Sequence, residues 1–435
     1  MVVCLFIYSL TSEASEASET TGLLLWSNIG VYMPVFEPSE GIFDNADALS
    51  EDYVPNTIRG RDEDIEKYKN LLQPIMDGRD TKSILLYGKT GVGKTVTTRY
   101  LTTHLEEDIK TYHDINLDTI WVLCENINTS YQLAGAIINE IREPENHITT
   151  TGYPSEQMYR MMYDELDSLG EHVIIVLDEV DNIGSDDKLL YELPRAGSNN
   201  RLQNTKVTVI GISNDLRFTD NLRQKVKSSL AQRELQFAPY DAIELREILQ
   251  DRAKIAFHDD VIRDGVIELI SAISANDVGD ARQGLDLLTE AGEIANRDDD
   301  NHVTEDHVYR AKDALEQDLI NNSMSDLTQQ GKLVLCSILY FERKNKTPVR
   351  SKDIYEKYKE FATYIDSNTV TQRRVRDHLS DLKMQSLILE YTKNTGRQEG
   401  RYKEYKAYAD IDSAISELRT DSTIEDIITL LENLN

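Results

Sequence analysis

The sequence predicts an α/β chain of three parts: a parallel β-sheet covered by helices on both faces, an all-α domain, and a C-terminal winged-helix domain. Three observations carry this. Between Tyr53 and Gln236, short apolar runs alternate with amphipathic stretches, the pattern of strands buried on both faces and joined by helices. From Ala242 to Ile320 the strand-like runs stop and only helix-period segments remain. Beyond Asn321, three helical segments precede two short strand-like runs that flank a glycine-containing basic stretch.

In chain order, residues 1–52 read as an N-terminal extension, partly disordered. Its apolar runs, Val2–Leu10 and Gly22–Phe36, follow no basic residues, and each is shorter than the ~20 residues a membrane helix needs. Ser12–Thr20 between them is a low-complexity Ser/Glu/Ala tract, and Met33 is a candidate start that would make residues 1–32 non-native. Residues 53–236 hold the buried strands Ser83–Tyr87, Thr119–Leu123, His172–Leu177 and Lys206–Ile212. Residues 237–322 form a helical lid, with helices near 242–257, 259–274, 280–296 and 304–320, and polar Asn321-Asn322-Ser323 marks a linker. Residues 323–410 give helices near 328–343, 351–360 and 369–386, then Leu387–Glu390 and Tyr405–Tyr408 as the arms of a hairpin. Two glycines in its tip, Thr395–Arg401, permit the turn. Residues 411–435 read as a short terminal helix or a frayed tail.

The 435 residues include 77 acidic and 47 basic ones, a formal net charge of -30. Such an excess normally argues against nucleic-acid binding, because Lys and Arg make the phosphate contacts. The sign reverses locally: Arg343–Lys406 has 16 basic and 9 acidic residues, a charge of +7, against 31 and 68 elsewhere. An acidic background is also what halophilic proteins carry, so the global charge reports habitat as readily as partner. Cys4, Cys124 and Cys336 match no metal or disulfide spacing, which suits a reducing cytoplasmic location and no membrane association.

Gly88-Lys89-Thr90-Gly91-Val92-Gly93-Lys94-Thr95 satisfies G-x-x-x-x-G-K-[ST] between a strand and the helical Val96–His104. The glycines let backbone N–H groups curl round phosphates, Lys94 reaches the β and γ oxygens, and the Thr95 hydroxyl ligates Mg²⁺. Gly88, Gly91, Val92, Gly93, Lys94, Thr95 and Val96 are therefore candidates to hold ATP or ADP. The apolar run His172–Leu177 ends in Asp178-Glu179, at the sheet edge where open α/β folds bind ligands. There Asp178 would hold Mg²⁺ through water and Glu179 would orient and deprotonate the attacking water; Asp181 reads as a cap of the next turn. Asn214 ends another buried strand and either positions that water or makes an exposed turn. Arg282, in Gly279-Asp280-Ala281-Arg282 at a lid-helix start, either senses the γ-phosphate or forms a surface ion pair.

These residues resemble an AAA+ ATPase of the replication-initiator kind, the archaeal origin-recognition and cell-division-control family, over Met33 to about Asp410. The resemblance rests on Ile58-Arg59-Gly60-Arg61-Asp62-Glu63, the Tyr87–Thr95 loop, Asp178-Glu179-Val180-Asp181, Phe237-Ala238-Pro239-Tyr240 and Gly279–Arg282; the acidic balance looks haloarchaeal. It implies nucleotide contacts from Tyr240 and Arg252, sensor roles for Asn214 and Arg282, and adenine contacts from the segment before the loop. It also implies slow, Mg-dependent ATP hydrolysis with retained ADP, binding to double-stranded origin DNA, recruitment of the MCM helicase, and contact with other initiator subunits. An inserted DNA-contacting helix would lie between Ser130 and Leu169. One departure is that Leu222–Leu230 has Ser228-Ser229 where relatives carry a Ser-Arg pair, which puts an arginine finger from a neighbouring subunit in doubt; Arg223, Lys225 and Lys227 read as a solvated basic turn ahead of local substitutes.

In the third winged-helix segment Val375, Leu379 and Leu382 share one face, leaving Arg373, Arg374 and Arg376 outward, a recognition-helix pattern. Arg397 and Arg401 on the hairpin would meet backbone or minor groove. A basic face for protein contact is the alternative. Two other functions fit the same parts: a signalling ATPase that regulates transcription, and a clamp-loader-like assembly ATPase without sequence-specific DNA binding.

Overall fold

The computed structural model describes residues 41–434, apart from 113–114, 150, 185, 278, 395–400 and 409. The apolar N-terminal runs, Met33 and the hairpin tip with Arg397 lie outside the described residues. Five parallel strands make the main sheet: β1 (Ile84–Tyr87), β2 (Leu117–Leu123), β3 (His172–Asp178), β4 (Lys206–Ser213) and β5 (Arg233–Gln236), in the order β2-β3-β4-β1-β5. The four expected strands are present. β5 is an addition: its Arg-Glu-Leu-Gln run has one apolar residue because it lies at the sheet edge with three of its four side chains exposed.

Alternation along the inner strands explains their unbroken hydrophobicity. Ile84, Leu86, Ile174, Val176, Ile210 and Ile212 enter one core with residues of the helices Asp62–Met76 and Lys94–Tyr112. Leu85, Val173, Ile175, Leu177 and Val209 enter the core on the opposite face, with residues of the helices Ser130–Ile141 and Ser155–Leu169. These last two helices, packed together, are what occupies the segment assigned to an insertion. Because the strands are parallel and in register, with Tyr87 opposite Ser213 and Leu123 opposite Asp178, the loops after β1, β3 and β4 open at the same edge.

The lid helices are Ala242–Ala256, Val266–Asp277, Ala281–Arg297 and Glu305–Ser325. The second starts later than its apolar spacing suggests, since residues 259–265 form a turn in which Ile262 bridges Val303 and Gly265 takes a φ of 89°. The linker expected at Asn321-Asn322-Ser323 is instead part of the fourth helix; polar residues on an exposed helix face have a linker's composition. Residues 42–49 also belong to the lid structure. Ile42, Ala48 and Leu49 are buried with Leu249, Ala253 and Leu288, and Phe43 stacks on Phe257 at 4.7 Å.

The C-terminal domain has helices Gln329–Arg343, Ser351–Tyr364 and Gln372–Met384 and a three-stranded antiparallel sheet, β6 (Val349–Arg350), β7 (Ile388–Asn394) and β8 (Arg401–Ala407), in the order β6-β8-β7. The chain beyond β8 is folded rather than frayed. Helices Ile411–Leu418 and Glu425–Glu432 bury Ile415, Leu418, Ile428 and Leu431 in the same core. Eight-residue helices have no stability alone; this packing and the 2.8 Å pair between Lys332 and Asp421 hold them. Among the described residues no helix is long and apolar enough to cross a membrane.

Candidate functional site

The loop between β1 and the helix Lys94–Tyr112 frames a cavity of about 760 Å³. Its lining includes Thr90, Gly91, Gly93, Lys94, Thr95 and Val96 of the loop and helix start, with Asp178, Glu179 and Asn214. It also includes the apolar residues Val54, Pro55, Ile58, Ile248 and Leu285, of the kind on which a flat heterocycle packs. Gly88 and Val92 act from behind: the Gly88 carbonyl accepts from Lys94 Nζ, and the Val92 side chain is fully buried in the core. Gly91 and Gly93 have φ of 69° and 87°, and side chains there would strike the Asp280 carboxylate and the Tyr240 hydroxyl respectively. Lid and loop therefore meet directly, joined also by Ala281 N donating to Gly91 O at 3.1 Å.

Lys94 Nζ is buried and donates to Gly88 O at 2.9 Å, Lys89 O at 2.6 Å and Asn214 Oδ1 at 2.9 Å. Burial pulls its ammonium down to about 8, against the opposite pull of Asp178, Asp181 and Asp280. Thr95 Oγ1 donates to Asp178 Oδ2 at 2.9 Å, placing together two hard oxygen donors of the kind Mg²⁺ takes. Glu179 occupies the left-handed region, φ 55°, where its N–H bonds Asp178 Oδ1 and its carboxylate accepts from Asn182 at 3.1 Å. Asp181, read as a turn cap, instead accepts the Asn214 backbone N–H at 3.2 Å. It thus fixes the strand end from which Asn214 projects.

From the lid, Tyr240, Arg252 and Arg282 all line the cavity. Arg252 is buried, with Nη1 and Nη2 donating to Ala48 O at 2.9 Å and Tyr53 O at 3.0 Å, so here it holds the segment that forms the cavity wall. Arg282 Nε pairs with Glu51 Oε1 at 2.6 Å. Arg61 went unrecognised in the sequence. Almost wholly buried, it donates from Nε and Nη2 to Val92 O at 3.2 and 3.0 Å and from Nη2 to Ala238 O at 2.5 Å, and its guanidinium lies 3.9 Å from the Tyr240 ring centroid. A charged residue beside Arg59 and Asp62 carries no sequence signal of burial.

Comparison with known proteins agrees with the three-part architecture. Residues 77–218 match an AAA domain, 246–313 the Cdc6 AAA+ ATPase-type lid domain, and 322–417 the CDC6 C-terminal winged-helix domain. The chain is 46% identical to ORC1-type DNA replication protein 11 of Haloarcula marismortui over 91% of its own length and 95% of that protein's. The chain belongs to the ORC1-type DNA replication protein family. Within this family it is also 38% identical to the Pyrococcus furiosus ORC1-type DNA replication protein, covering 89% of this chain and 92% of that one. The solved structure of the Aeropyrum pernix ORC1 protein in complex with DNA superposes with a TM-score of 0.78 at 32% identity, covering 90% of this chain and all of that one. The ORC1-type assignment carries with it the AAA+ core, the Cdc6-type lid and the winged helix as one architecture.

In this ORC1-type chain the winged-helix surface divides its cations into two groups. Glu390 takes Lys383 at 3.0 Å and Lys403 at 2.7 Å, and Glu404 takes Lys393 at 2.7 Å with Arg350 at 3.9 Å. Arg373, Arg374 and Arg376 are exposed on the helix Gln372–Met384 and have no ion-pair partner among the described residues, while Val375, Leu379 and Leu382 are buried behind them. Arg401 begins β8. Near the absent Ser-Arg pair, Arg223 is engaged with Asp187 and Ser229 Oγ bonds the Tyr191 carbonyl at 2.9 Å, which ties that arginine to its own subunit.

Proposed function

We propose that this protein is an ATP-dependent DNA replication initiator that binds double-stranded origin DNA and helps recruit the MCM helicase. The observation that carries the DNA-binding part is the row of exposed arginines, Arg373, Arg374 and Arg376, with no ion-pair partner among the described residues, on a chain whose net charge is -30. A helix presenting them to a major groove offers guanidinium forks to guanine edges and phosphates, with Arg397 and Arg401 reaching the backbone from the hairpin.

Nucleotide is the switch for that grip. The loop N–H groups and Lys94 hold the phosphates, Tyr240 and the segment Val54–Ile58 enclose the base, and Arg252 keeps that wall in place. Thr95 and Asp178 would hold Mg²⁺, which neutralises charge on the phosphates when bound. Glu179 accepts the proton of the attacking water, Asn214 orients that water while Asp181 fixes its backbone, and Arg282 engages the γ-phosphate. Slow turnover with ADP retained fits a site whose lid already touches the phosphate loop. Footprinting of the purified protein across its own replication origin, with and without ATP, tests the reading: protection at the origin is expected. Protection confined to promoters would replace it with the transcription-regulator reading, and no sequence preference with the clamp-loader-like one. Co-purification with MCM from origin-bound complexes tests the helicase step.

A further inference from the structure

Arg282 is not idle in this structure. Its guanidinium is committed to Glu51, 2.6 Å away, and both side chains lie on the wall of the nucleotide cavity. Glu51 is distant in sequence, yet it is held firmly: it sits in the turn between Ala48 and Tyr53, whose two carbonyls are gripped by Arg252. Arg282 is likewise fixed at its backbone, since its N–H donates to the Asp280 carboxylate at 2.8 Å. Two rigidly mounted groups thus meet through flexible ends, where one partner can be exchanged for another.

We infer that Glu51 is a specificity-determining latch: it occupies Arg282 whenever no γ-phosphate is present, and so sets how strongly the site prefers ATP to ADP. The inference rests on the reading of Arg282 as the γ-phosphate contact. The side chains are 47% and 50% exposed, and ion pairs that open to solvent shift an equilibrium by no more than about five-fold. A triphosphate terminus offers more charge and a forked acceptor set for a guanidinium, so it displaces Glu51. A diphosphate lacks the terminal group that Arg282 is read as engaging, and so leaves the pair closed. Glu51 therefore works against ATP alone, and its charge makes ATP and ADP more alike in affinity.

Calorimetric titration with ADP and with a non-hydrolysable ATP analogue, on wild type, Glu51→Gln, Arg282→Ala and the double variant, tests this. Glu51 is half-exposed, and a thermal unfolding midpoint within about two degrees of wild type would show that Glu51→Gln folds. Glu51→Gln should tighten the analogue about two- to five-fold and leave ADP within about 1.5-fold; in the Arg282→Ala background it should change neither. The latch is refuted if Glu51→Gln leaves the analogue unchanged or weakened, tightens ADP equally, or acts undiminished without Arg282. If Arg282→Ala itself leaves the analogue-to-ADP ratio unaltered, the γ-phosphate reading fails, and the latch with it.

Discussion

Replacing Arg61 by Ala perturbs the junction of phosphate loop, hinge and lid. The side chain donates to Val92 O and Ala238 O and supports the face of Tyr240, whose hydroxyl in turn rests against Gly93. Ala238 is exposed, so water replaces the arginine at its carbonyl. Val92 is fully buried, and its carbonyl would be left without that donor, at about 1–3 kcal/mol. Loss of the desolvated cation–π contact adds about 1–2 kcal/mol. The expected total is about 2–5 kcal/mol, read as a lowered urea midpoint for the ATPase-lid transition. Arg61→Lys should recover less than half of this, because a single ammonium cannot reach two carbonyls while lying flat on a ring. Nucleotide affinity should fall in parallel as Tyr240 loses its support. A midpoint change worth under about 0.5 kcal/mol, or complete rescue by lysine, would refute the argument that this cation organises the site.

Glu179→Gln should keep nucleotide binding and lose hydrolysis by at least about a hundred-fold; unchanged turnover in a steady-state phosphate-release assay removes Glu179 as the base. Arg373→Ala should weaken origin binding by about 1–3 kcal/mol in a gel-shift titration without altering ATPase activity, and equal binding would assign the arginine face to a protein partner. Lys332, with help from Thr423, holds the Asp421 carboxyl at about 2, below its usual value near 3.8. A carboxylate depressed in the folded state stabilises above its unfolded pKa and loses that contribution as pH falls through the folded one. Asp421→Asn should therefore cost about 2 kcal/mol at neutral pH, and the variant and wild type should converge in stability between about pH 4 and pH 2. Parallel curves across that window would exclude the pair as the clamp on the terminal helices.

The parts legible in the sequence are those that physics writes locally. A phosphate loop needs glycines at fixed spacing and a lysine at a helix start, and β3 and β4 had to be continuous apolar runs because both faces are covered. Asp178, Glu179 and Asn214 followed from where those strands end. The contacts that went unread are long-range pairs that join a charged side chain to a distant partner: Arg61 with the Val92 carbonyl, Glu51 with Arg282, Asp181 with the Asn214 backbone. Arg61, Glu51 and Asp181 each read alone as an ordinary charged residue of a loop or turn. β5 was missed, and the terminal segment left between a short helix and a frayed tail, for a different reason: an edge strand needs little hydrophobicity, and short helices take their stability from the core they cover.

The paired lysines of the hairpin sheet bear on how such an acidic molecule would meet a polyanion such as DNA. A cation already neutralised by Glu390 or Glu404 brings few counterions of its own to exchange and releases few from the duplex. Arg373, Arg374 and Arg376, which have no ion-pair partner among the described residues, add fully to the ionic-strength dependence, at a slope of roughly -0.9 per phosphate engaged. Three such contacts contribute about -3 to the exponent, and backbone contacts from Arg397 and Arg401 about -0.9 each, where a strongly basic binder reaches about -10. Affinity built this way on forked hydrogen bonds declines gently as salt rises. Internal neutralisation of the wing thus limits the salt dependence of such a contact.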